Sequence, residues 1–178
     1  MKEKSHYKNS NPNRSLLEES ISLLEWDTLK THLSSFASTK MGKKAILDLE
    51  IPSNYDNSKK LLNETIEINN LEKKLDKSIS FSGVYDIVKK IDICSKGGII
   101  TSSDLLEIAE TIFNARELKK ILLDFDQRPY ISSFFNRLID HSQIEKIIKI
   151  GIEFNGRISD GASEKLANLR QEILSKKS

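Results

Sequence analysis

The 178-residue chain is 38% hydrophobic and 30% charged with a net charge of +2, a composition of soluble globular domains that excludes wholesale disorder and membrane-spanning classes. Its longest apolar runs fall far short of the roughly 20 residues that span a bilayer, and its polar start lacks a signal-peptide core, so a cytoplasmic protein without membrane contact is the expectation. The first 14 residues carry +3, which leaves the other 164 at −1; Lys and Glu interleave there as on solvated helices, which argues against a basic nucleic-acid-binding face.

Taken in order, residues 1–14, MKEKSHYKNSNPNR, read as a disordered polar tail. Apolar residues then recur at helical spacing through Leu16, Leu17, Ile21 and Leu24, and again through Trp26, Leu29, Leu33 and Phe36. Two short helices meeting near Glu25 are predicted, with Asp27 capping the second. Ser38 or Thr39 caps a third helix through Met41, Gly42, Ala45, Ile46 and Leu49, which Pro52 stops. Gly42 inside that helix costs about 1 kcal/mol against alanine, so a compensating contact is expected there. Asn54 or Asp56 opens a long helix with Leu61, Thr65, Ile68, Leu71 and Leu75 on one face.

Residues 78–86, SISFSGVYD, lack a helical period. Val84–Ile93 reads as a short helix ended by Gly97 and Gly98. Thr101 and Asp104 then open a long helix to about Asp124, with Leu105, Ile108, Ile112, Ala115, Leu118 and Leu122 inward. Two shorter helices follow, in PYISSFFNRLI and SQIEKIIKIGI. Asn155-Gly156 is the signature of a tight turn, allowing at most one short β-ribbon near 153–158. Ala162, Leu166, Leu169 and Ile173 step by 4, 3 and 4 as a coiled-coil seam does. The seam runs for less than two heptads with no stop signal, and the expectation is that it continues in a longer parent protein. The fold class predicted is all-α, an irregular multi-helix bundle.

Chemistry is sparse. Neither G-x-x-x-x-G-K-[ST] nor G-x-G-x-x-G occurs, so no phosphate loop is present. His6, His32 and His141 are scattered, and the lone Cys94, expected to be a small buried apolar residue, cannot assemble a zinc site. Asp124 with Asp126, Asp140 beside His141, and Glu18 with Glu19 are acid pairs of a kind expected from charge content alone. No G-x-S-x-G elbow sharpens a serine. No catalytic, cofactor-binding or metal residue is assigned.

Three colinear segments do carry a resemblance. Ser38–Leu71, STKMGKKAILDLEIPSNYDNSKKLLNETIEINNL, resembles the start of the core domain of the MutS family, where a T-x-M-G helix precedes an x-P loop and a long helix. Ser22–Ser38, SLLEWDTLKTHLSSFAS, is similar to the opening LExxxLxxxLxxxAxS of the second MutS subfamily. Asn155–Ile173, NGRISDGASEKLANLRQEI, is similar to the passage from that subfamily's core into its clamp helix. The resemblance runs from about Ser15 to Ile173.

It implies a core, or lever, domain over 15–160 and the start of a truncated clamp helix over 161–178. The parent would be a homodimeric ATPase, binding ATP and magnesium outside this segment and acting on DNA in mismatch repair or recombination control, or on stalled ribosomes, with an endonuclease domain at its end. The segment itself would be non-catalytic and would relay between the clamp and ATPase domains. Gly42, flanked by Met41 and Ala45, would be small because another helix crosses close to it. The alternative is a free-standing helical adaptor that binds a protein partner through its last helix.

Overall fold

Local side-chain caps set several of the helix starts in this chain. In the computed structural model, which describes residues 12–52, 54–75, 78–123 and 129–177, the helices are α1 (Pro12–Leu23), α2 (Trp26–Ser34), α3 (Lys40–Leu47), α4 (Tyr55–Leu75), α5 (Val88–Ser95), α6 (Ser102–Leu123), α7 (Ser132–Asn136), α8 (Ser142–Gly151) and α9 (Glu164–Lys177). The described residues contain no strand, only an isolated antiparallel bridge between Ile152 and Ile158, so the fold is all-α. None of these helices is long and apolar enough to cross a membrane.

The caps show why these boundaries arise. Asn54 Oδ1 accepts the N–H of Asn57 at 2.8 Å and so caps α4. At α6, Thr101 and Asp104 bond reciprocally: the Asp104 N–H donates to Thr101 Oγ1 at 3.1 Å, and the Thr101 N–H donates to Asp104 Oδ2 at 3.1 Å. Ser163 Oγ accepts the N–H of Leu166 at 3.1 Å and starts α9. α5 ends where Gly98 N–H donates to Ile93 O at 2.9 Å.

Several expectations are corrected. Asp27 does not cap α2; the residue before that helix is Glu25, in left-handed backbone (φ 49), and Asp27 lies in the first turn, paired with Lys30 at 3.0 Å. α5 begins at Val88 rather than Val84, because residues 84–87 lie in a loop tied to α6. Cys94 is exposed, since the last turn of this short helix packs no core. Ala162 lies in a 3-10 turn, Asp160–Ala162, ahead of α9, so the helix itself carries only Leu166, Leu169 and Ile173 of the seam. The tail over 1–11, His6, and Asp124 with Asp126 lie outside the described residues, whereas residues 12–14 are already part of α1.

The chain divides into two units, one comprising residues within 1–37 and 42–50, the other residues within 38–41 and 51–178. In the first, Lys30 Nζ donates to Leu47 O at 3.0 Å, and Trp26 Nε1 reaches Leu49 O at 3.4 Å. A lysine and an indole from α2 thus satisfy carbonyls at and beyond the end of α3, where the helix dipole favours a cation.

In the second unit, α6 carries two clusters. Toward its start, Ile108 and Ala109 pack with Ile148 of α8 and with Ile152, flanked by Ile87, Ile100 and Leu105. Toward its end, Leu122 packs with Leu71 of α4 and with Ile131, flanked by Ile68, Leu118 and Phe135. At 1.5 Å per residue this 22-residue helix is about 33 Å long, with one apolar cluster near each end.

Candidate functional site

Polar groups placed among these apolar clusters tie the other elements to α6, at successive levels along it. Nearest its start, Lys90 of α5 is pinned between Asp104, at 2.8 Å, and Glu107. Hydrogen bonds from Lys90, then from Thr101, hold the Asp104 carboxyl at about 2, below its ordinary 3.8; Asp104 first and Glu107 second raise the Lys90 ammonium.

Midway along, Arg116 meets the buried Glu145 of α8 at 3.1 Å, while Lys149, one turn on, meets the same carboxylate at 2.7 Å. The two cations also lie over the Phe113 ring, at 5.6 and 4.7 Å. A carboxylate with 5% exposure is tolerated because both neighbours are cationic. Further along, Lys119 Nζ donates to Leu138 O at 2.6 Å. Apart from α6, the buried Glu67 of α4 accepts the backbone N–H groups of Tyr130 and Ile131, joining α4 to the segment that leads into α7.

The loop over 81–87 lies on α6 as well. A Cβ added at Gly83, whose φ is +76, would come within 2.5 Å of Asn114 Nδ2 and 2.6 Å of Glu110 Oε1; these side-chain ends can swing aside, so it is the left-handed backbone that favours glycine here. Tyr85 N–H donates to Thr111 Oγ1 at 3.0 Å, and the Glu110 carboxylate beside Tyr85 raises its hydroxyl pKa. Over this loop opens a cleft of about 450 Å³, with Met41, Phe81, Val84, Tyr85, Asp86 and Glu107 among its walls. Among the described residues, no group of three or more His, Cys, Asp or Glu side chains could hold a metal ion.

The structure scatters the residues singled out from sequence. Met41 lines the cleft, half-buried Gly42 and exposed Ala45 follow it on α3, and Gly156 sits at φ +80 in the turn that closes the Ile152–Ile158 bridge. Leu166 is half-buried, while Leu169 and Ile173 are exposed. The buried carboxylates Glu67 and Glu145, and the half-buried Arg116 that meets the second, were not foreseen. Their one sequence signal is a carboxylate in an apolar register: Glu67 stands four residues before Leu71, and Glu145 three before Ile148.

No protein-family model matches the chain. Curated relatives do. A protein named endonuclease MutS2 from Synechocystis sp. is 29% identical over 161 residues, which cover 90% of this chain and 20% of the relative. The endonuclease MutS2 of Halalkalibacterium halodurans is 28% identical over 164 residues (89% and 21%), and that of Halothermothrix orenii 28% over 165 residues (88% and 21%). The chain spans about a fifth of the length of these relatives. Over nearly its whole length, then, this chain is similar to a segment of MutS2-type proteins.

Proposed function

We propose that this chain is a non-catalytic core, or lever, segment of a MutS2-type protein, which relays between a DNA-gripping clamp and an ATPase. The relatives are named endonucleases, so the parent is read as a hydrolase acting on DNA, in recombination control or repair, with rescue of stalled ribosomes as the second substrate class. ATP and magnesium would bind the parent outside this segment, and the parent would work as a homodimer in the cytoplasm.

The observation that supports a relay is the way α6 is held. A helix of about 33 Å carries an apolar cluster near each end and polar ties at Asp104, Arg116 and Lys119 along its length. A displacement applied at one end of such a bar is delivered to the other rather than dissipated in loops, because packed interiors deform little.

Reading the encoding gene beyond the codon for Ser178 tests this reading. A continued heptad pattern, followed by G-x-x-x-x-G-K-[ST], is expected. A stop codon at that point would overturn it.

A further inference from the structure

The inner face of α8, with Glu145, Ile148 and the following Ile152, is buried, and α8 lies against α6. At 3.6 residues per turn, Ile144, Ile147 and Ile150 form a second stripe, turned away from that face. Ile147 is 70% and Ile150 61% exposed, and Phe154, in the turn just beyond, is wholly exposed. Surface helices present polar residues to water; a run of exposed isoleucines followed in the chain by an exposed phenylalanine is an apolar surface of the kind that marks an interaction site.

The charge that α8 itself leaves uncompensated beside this stripe is positive, and Glu153 is exposed beyond the helix. Lys146 is exposed beside the stripe, and the single carboxylate of α8, Glu145, is turned inward to Arg116 and Lys149. A second copy, laid antiparallel across Ile147, would bring lysines of one α8 against those of the other. An occupant with carboxylates along its edge would be attracted. Its source is indicated by length: the relatives have about four-fifths of their sequence outside the matched segment.

We propose that the Ile144–Ile147–Ile150 stripe with Phe154 seats an amphipathic helix that carries apolar side chains at i, i+3 and i+4 spacing and a carboxylate flank, supplied by the part of a MutS2-type protein outside this segment. The inference rests on the reading that the chain works within such a protein.

The test uses the chain as it stands, with synthetic peptides of about 20 residues, some 30 Å when helical, tiling the Synechocystis sp. relative outside its matched part. Binding is read by fluorescence anisotropy. The expected result is binding confined to acidic peptides with helical apolar spacing, weakened at least about tenfold by Ile147→Glu and by Lys146→Glu, with circular dichroism unchanged. Binding that Ile147→Glu leaves intact overturns the α8 seat but not the parent reading. No peptide bound overturns the seat, and leaves the parent reading to the gene sequence beyond Ser178. Self-association of the chain abolished by Ile147→Glu overturns the occupant, replacing it with a second copy.

Discussion

Glu67 Oε2 accepts the N–H of Ile131, 64 residues further along the chain, at 2.9 Å, and the N–H of Tyr130 at 3.0 Å. One buried carboxylate on α4 therefore fixes the backbone that leads into α7. Glu67→Ala strands two N–H donors, one of them on buried Ile131, and is expected to destabilise the chain by about 2–4 kcal/mol. Glu67→Gln keeps one acceptor but aims an amide donor at donors, and is expected to cost about 1–2 kcal/mol. Urea unfolding followed by circular dichroism measures both. Equal stability of wild type and Glu67→Ala would show that the tie contributes nothing.

Asp104 and Lys90 make stability depend on pH in a defined sense. The Asp104 carboxyl is depressed from 3.8 to about 2, so its contribution is complete above 3.8 and is lost as pH falls toward 2. Lys90 is raised above 10.5, so its share is complete below that value and lost only as pH rises past it. The stability gap between wild type and Asp104→Asn is expected to stay constant through neutral pH and to close between 3.8 and about 2. A gap that persists unchanged at pH 2 would remove the ion pair from the account.

Gly156, at φ +80, follows Asn155, whose Oδ1 accepts the N–H of Arg157 at 2.9 Å. Left-handed backbone costs a residue with a Cβ about 1–2 kcal/mol, and the new Cβ would sit 3.4 Å from Ser102 Oγ. Gly156→Ala is expected to lower stability by about that amount, while Gly156→Asn should lower it less. Differential scanning calorimetry of the two variants gives the ordering.

Much of this fold was legible because helix caps and 3.6-residue spacing are local. Thr101 with Asp104, Asn54 and Asn155-Gly156 each sit within three residues of the group they satisfy. Burial was harder to read. Cys94 has an apolar side chain yet is exposed, since the last turn of α5 packs no core. Glu67 and Glu145 are charged yet buried, because their partners Ile131 and Arg116 lie 64 and 29 residues away. Pairings over such distances depend on which helices meet, which periodicity does not encode. Ala162 belonged to the right apolar pattern but fell on the wrong side of the Ser163 cap.

Gly42 is half-buried on α3. If a helix crosses close to it, Gly42→Leu should destabilise by about 1–3 kcal/mol through overpacking, and Gly42→Ala should gain less than the ~1 kcal/mol that helix propensity alone provides. Thermal unfolding of the two variants decides this. A full propensity gain for alanine, with leucine tolerated, would show that no such crossing exists.

The central claim, that α6 is the stiff axis of the segment, is tested most directly by native-state hydrogen exchange. The account predicts that amides within Ser102–Leu123 are the slowest to exchange. Protection in α9 should fall away beyond Arg170, whose guanidinium, bonded to Asp160 and to Ile158 O, is its tether to the preceding turn, because a short helix with an exposed seam is marginal in water. Exchange along α6 as fast as along the end of α9, or strong α9 protection in a dilute monomer that Leu169→Glu leaves unchanged, would contradict it.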